Sequence, residues 1–191
     1  MKRLVLLLAA LGACRTSQRA PEPLPAIDAA AIETAPLGPS IYELPLSMRD
    51  AHGATIGLDV HRGQPTLVAM FYASCPVACP VLIDEIRTTL AESGRTDARV
   101  LLVSFDAARD TPEKLSTLVA ERGLDARWTV AAASDGDART LAAVLGVKYR
   151  RLDNGEFVHG STIVALDAEG RPIGRADRLG QRDGLLSALS R

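Results

Sequence analysis

Three uninterrupted apolar runs constrain the fold more than any other feature of the chain: TLVAMFYA at 66–73, RVLLVSF at 99–105 and RWTVAAA at 127–133. A run without polar alternation reads as a strand buried on both faces. Each run is followed by a segment of helical period. VLIDEIRTTLAES (81–93) spaces Leu82, Ile86 and Leu90 along one helix face, and Gly94 stops it. DTPEKLSTLVAERG (110–123) opens with Thr111 as N-cap and Pro112 at the first helical position, and closes at Gly123. Ser134 caps DGDARTLAAVLG, with Asp137 in the capping-box position. Strand and helix in alternation imply an α/β layered sheet.

The flanking segments extend that sheet. Residues 41–65 read as a small hairpin leading into the first buried strand. STIVALD (161–167) and PIGRAD (172–177), joined by AEGR, read as a closing hairpin, and a last helix is expected from about Gln181 to Ser190. The sum is a central mixed β-sheet flanked by helices, with an extra N-terminal β-hairpin, which is the plan of a thioredoxin-like fold. A chain of 191 residues suits one such domain plus a tail. With 22 Lys and Arg against 23 Asp and Glu, and no basic stretch, a nucleic-acid partner has no electrostatic support.

The first residues read as an export signal rather than as fold. MKR is a basic n-region, and LVLLLAALGA is an apolar stretch too short to span a bilayer comfortably. LGAC, ending at Cys14, resembles a bacterial lipobox, which makes residues 1–13 a lipoprotein signal peptide and Cys14 the lipidated start of the mature chain. Several acyl chains on one residue give stable membrane attachment. Residues 14–39, with Pro21, Pro23, Pro25, Pro36 and Pro39 among alanines, form the expected tether, and 40–191 the folded domain. Export also places the chain where disulfides form.

Cys75 and Cys79 lie in FYASCPVACPVL, at the carboxyl end of the first buried strand, where chemistry gathers in open α/β sheets. Pro76 and Pro80 delay the helix to near Val77 or later, so Cys75 sits just ahead of it and Cys79 in its first turns. A helix N-terminus favours the thiolate. Thiolates are soft ligands that suit copper(I) first and zinc second. Two sulfurs leave a metal site incomplete. His52 and His61 lie in turn segments and read as solvated. His159 lies directly before an apolar strand, in the loop that faces the cysteine loop in a thioredoxin plan. Met48 and Met70 are weaker candidates, Met70 reading as core. Other chemistries remain open: a redox-active Cys75–Cys79 disulfide in a thiol–disulfide oxidoreductase, a thiol peroxidase, or a zinc site with only three visible ligands. Enzyme and binding protein are both compatible with the residues.

FYASCPVACPVL resembles the copper-site motif of the SCO/SenC family of copper chaperones. LLVSFDAARDTPEKL (101–115) and HGSTIVALDAEGR (159–171) are similar to two further segments of that family, in the same order. The resemblance implies a thioredoxin-like domain that binds one copper ion, as Cu(I) or Cu(II), through Cys75, Cys79 and His159. It also implies a metallochaperone that helps load cytochrome c oxidase, with the oxidase's copper-bearing subunit or another copper protein as partner. The implied location is the bacterial cell envelope, lipid-anchored and facing the periplasm or extracytoplasmic space. Asp106 and Asp110 fall in the second matching segment and read as organisers of a loop and a helix cap. The chain departs from many relatives in having Pro76, Val77 and Ala78, with no acid, between the cysteines, and a lipid in place of a transmembrane anchor.

Overall fold

The computed structural model describes residues 36–75 and 78–190, apart from the side chains of Ala78 and Cys79. The expected signal segment, the lipidated Cys14 and nearly all of the tether lie outside the described residues. Thr34–Arg191 forms one compact unit.

The three apolar runs become β3 (Thr66–Phe71), β4 (Arg99–Ser104) and β5 (Trp128–Ala133). They pair in parallel, with Leu67 opposite Val100 and Val100 opposite Trp128. Every residue of β3 is buried, as an unalternated run requires. β3 ends two residues and β4 one residue before its apolar run does, so Tyr72, Ala73 and Phe105 fall in the loops that follow, while β5 ends with its run. β1 (Met48–Asp50) pairs antiparallel with both β2 (Thr55–Ile56) and β5. On the other side β8 (Ile163–Leu166) runs antiparallel to β3 and to β9 (Pro172–Ala176). The strand order is β2-β1-β5-β4-β3-β8-β9, so β3 and β4 sit in the middle of a mixed sheet.

Helices cover both faces. α1 (Ala78–Ser93), α2 (Pro112–Arg122) and α4 (Asp183–Leu189) share one core with Leu67, Ala69 and Phe71, through Ile83, Ile86, Leu115 and Leu185. α3 (Asp135–Leu145) shares the other with Val68, Met70 and Tyr72, through Leu141 and Leu145. The alternation along 67–72 therefore splits one strand between two cores. The caps form as the sequence implies. Thr111 Oγ1 accepts the Lys114 amide at 3.4 Å, and Ser134 Oγ accepts the Asp137 amide at 3.2 Å. Gly123 closes α2 at φ 55°. α4 lies against β9 so closely that a Cβ on Gly174 would sit 2.4 Å from the Gly184 carbonyl oxygen.

One element has no counterpart in the apolar pattern. β6 (Tyr149–Arg151) and β7 (Phe157–His159) form a separate two-stranded sheet. His159 thus ends a strand rather than lying in a free loop, with Tyr149 as its cross-strand partner. These strands are three residues each, and β6 is mostly arginine, so their period is too short to register as a strand signal.

Candidate metal centre

The loop after β3 carries Cys75. Its amide donates to the Tyr72 carbonyl at 3.2 Å, turning the chain as it leaves the strand. The half-buried side chain packs against both cores. Cys79 lies one residue into α1, and its side chain is outside the described residues.

The loop is fastened from beneath by Asp110. Its Oδ2 accepts the Ala73 amide at 2.8 Å and the Ser104 hydroxyl, and Ser104 Oγ in turn accepts the Asp106 amide at 3.0 Å. One carboxylate therefore joins the end of β4 and the approach to α2 to the residue two before Cys75. Asp110 is fully buried, and its Oδ1 has no hydrogen-bond partner among the described residues. Burial pushes its carboxyl above the usual carboxylate range, against the opposing pull of Ser104 and Ala73.

His159 stands in an aromatic cage. Its ring centroid is 5.4 Å from Phe105 and 5.8 Å from Tyr72, both edge-on. Tyr149 stacks on Phe105 at 4.5 Å, and Phe157 closes against Phe105 and Tyr72 at 5.0 and 5.2 Å. Nδ1 of His159 lies 2.9 Å from the Gly160 carbonyl. A carbonyl only accepts, so Nδ1 carries the proton and Nε2 keeps its lone pair. Nε2 is buried, with no hydrogen-bond partner among the described residues. A buried acceptor left unmatched costs stability, and a metal would satisfy it. Gly160 helps to hold the histidine: its amide donates to the Lys148 carbonyl at 2.9 Å while its own carbonyl holds the ring.

Tyr72 joins the two halves. It lies three residues ahead of Cys75, and its hydroxyl donates to Glu156 Oε2 at 2.9 Å. Burial first, then Glu156, then the nearby Cys75 sulfur, drive the phenol above its ordinary range. Arg109 covers the Tyr72 and Phe157 rings at 5.8 and 5.7 Å, pairs with Asp106, and lies 3.8 Å from Glu156. Tyr72, Arg109 and Glu156 were not candidates from sequence. Tyr72 sits inside an apolar run, and nothing in the DNGE turn marks Glu156 as reaching back 84 residues.

The other sequence candidates separate. His52 is exposed, and its amide caps onto Asp50 at 2.9 Å. His61 departs from the solvated reading: it ends a 3-10 helix, Leu58–His61, is half-buried, and its Nε2 has no partner. Met48 and Met70 are core. Among the described residues no three His, Cys, Asp or Glu side chains gather closely enough to hold a metal, Cys79 being outside them.

A family model described as SCO1/SenC matches residues 35–191. No curated protein matches the chain. Among solved structures, copper-bound ScoI of Bradyrhizobium japonicum is 21% identical, with a TM-score of 0.62 over 75% of this chain and 94% of that one. A SCO1/SenC family lipoprotein from Bacillus anthracis is 16% identical, with a TM-score of 0.69 over 81% and 97%. BsSco, a member of the Sco family of cytochrome c oxidase assembly proteins in which a disulfide switch was identified, is 16% identical, with a TM-score of 0.68 over 82% and 94%. At these identities the structural likeness establishes the thioredoxin-like fold of the Sco proteins. With the family model spanning the whole described domain, the chain belongs to the SCO1/SenC family.

Proposed function

We propose that this protein binds one copper ion at the cell envelope and passes it to a copper-bearing protein, for which the copper subunit of cytochrome c oxidase is the first choice. Cys75 and Cys79 supply two thiolates and His159 Nε2 supplies the third donor. The observation that carries this reading is the buried, unpartnered Nε2 of His159, in a cage that includes Tyr72 beside Cys75. Soft sulfur plus imidazole suits copper(I). The ion is cargo. The neutral imidazole is the weakest of the three donors toward a soft ion, so an incoming thiolate of the recipient displaces it first. Asp110 and the aromatic cage hold the donor-bearing segments in place before the ion arrives. Family membership supports the reading, as do the copper-bound ScoI structure and the oxidase-assembly role given to BsSco.

Lipidation at Cys14 would hold the domain on the membrane, a reading supported by the Bacillus anthracis lipoprotein. Among the described residues no helix is long and apolar enough to cross a membrane. Mass spectrometry of the mature N-terminus tests this, with an acylated Cys14 expected.

The deciding experiment is a copper(I) titration of the reduced protein, following thiolate-to-copper charge-transfer absorption, in the wild type and in His159→Ala. One equivalent bound in the wild type and strong weakening in the variant are expected. A protein that reduces disulfides through Cys75 and Cys79 but takes up no copper is an oxidoreductase instead.

A further inference from the structure

Of the 17 Lys and Arg in residues 36–190, eight pair with carboxylates. Arg62, Arg87, Arg95, Arg109, Arg127 and Arg171 all pair with carboxylates, as do Arg175 and Arg182. Nine make no ion pair with a described residue, and four of these gather around one cleft of about 580 Å³ between α3 and β6: Arg139, Lys148, Arg150 and Arg151. All four are exposed. The cleft also touches Phe105, whose ring meets His159, and Tyr149 and Phe157, which pack on Phe105. Two carboxylates face it. Asp106 is neutralised by Arg109, which leaves Asp135 in the first turn of α3. The remaining balance is strongly positive on a chain whose net charge is −1.

The cleft has a third property. β6 pairs only with β7, so among the described residues the outer edge of β6 meets no other strand. An open strand edge offers unmatched amides and carbonyls to an extended peptide.

We propose that this cleft docks an acidic, extended segment of a partner protein, in which carboxylates alternate with apolar side chains. Each feature selects one part of that ligand. Side chains of an extended strand alternate between faces, so one set meets the cationic rim while the other lies on the aromatic floor. The backbone pairs with β6. A small anion would use the charge alone and leave the rings and the strand edge uncovered. The proposal rests on the copper-transfer reading for its purpose: a segment seated here places its protein beside His159, the donor displaced first.

The probe is a fluorescein-labelled decapeptide alternating aspartate and valine, with the lysine–valine peptide as control, added to the full-length protein at low ionic strength. Saturable binding of the acidic peptide alone is expected, weakening as salt screens the charges. Arg139→Glu with Arg150→Glu should weaken it at least tenfold (roughly) with an unchanged melting temperature. Asp135→Asn should tighten it by about two- to threefold. Of two peptides N-methylated at every valine or at every aspartate, one should lose binding. The proposal is overturned if the acidic peptide fails to bind, if the charge reversal leaves binding unchanged, or if neither N-methylated peptide is impaired. It is also overturned if free glutamate at matched ionic strength displaces the peptide, or if phosphatidylglycerol vesicles use these residues and the peptide does not. Copper affinity measured on the same proteins separates the two readings. In the wild type, absent docking with intact copper binding removes this proposal alone, and intact docking without copper binding removes the copper reading alone.

Discussion

His61 and His159 carry the same local signature at different places in the fold. Each is half-buried, and each has a buried Nε2 with no partner among the described residues. His61 lies before β3, with Arg99 among the charges acting on it. His159 lies beyond the other end of β3, in a cage with Tyr72 and next to the cysteine loop. An orphaned ring nitrogen therefore does not by itself make a ligand. What distinguishes the two is company: on one side Tyr72, which lies beside the Cys75 sulfur, and on the other a guanidinium that repels cations. The following experiments break or sharpen that contrast.

Closing a Cys75–Cys79 disulfide should have the largest effect, because it removes both thiolates proposed to bind copper together with His159. Copper(I) affinity, measured by chelator competition, should fall by more than about a thousandfold, since both soft donors go at once. Reduction should restore it. A disulfide form that holds copper as tightly as the dithiol would show that the sulfurs are not the ligands.

Replacing each histidine by alanine tests the contrast directly. His159→Ala should weaken copper binding by more than the about 10–100-fold that loss of an outer-shell partner costs. His61→Ala should leave it unchanged. Equal effects in the two variants would make the orphaned nitrogen, and not its neighbours, the determinant.

The sequence made one half of this contrast readable. The apolar runs place β3, β4 and β5, and the caps at Thr111 and Ser134 place α2 and α3, because burial on both faces and capping are both local signals. Cys75 and Cys79 stand out by residue type and spacing. His159 was readable as a position, but its cage was not. Phe105, Tyr149 and Phe157 meet only because β6 and β7 form a sheet whose period is too short to detect. His61 failed for a related reason. A turn-like sequence reads as solvated, yet Arg99 and the start of β4 come from nearly forty residues away to cover it. Asp110 was readable as part of a helix approach. Its bond to the Ala73 amide depends on the parallel pairing of β3 with β4, a tertiary fact.

Asp110→Ala ranks third. It leaves the Ala73 amide without its acceptor and takes one from Ser104. Losing a buried partner costs about 1–3 kcal/mol, and each kcal/mol lowers the melting temperature by about 2–4 °C in a domain of this size. Copper affinity should fall by about tenfold, because the segment leading to Cys75 is no longer held. Asp110→Asn keeps an acceptor oxygen and should recover most of both losses. A variant that melts early but binds copper normally would show that Asp110 serves the fold and not the site.

The smallest effect belongs to His61 and concerns pH. Burial, with a further push from Arg99, lowers its pKa below the ordinary value of about 6.5. A backbone hydrogen bond at Val100 opposes the shift without cancelling it. In the folded state the ring therefore stays neutral at a pH where the unfolded chain has already taken up a proton. Between the lowered folded value and about 6.5 the unfolded state binds more protons, so stability rises with pH across that window. Above it the contribution is fully present, and as pH falls through the folded value it is lost. One proton bounds the slope at about 1.4 kcal/mol per pH unit. Melting temperatures of the wild type and His61→Phe, taken from pH 7 downward (roughly to 5), read it out. The wild type should lose stability on acidification more steeply than the variant, with the difference confined to that window. Parallel curves would mean that the His61 ring is solvated in solution, and its likeness to His159 would then end at the backbone.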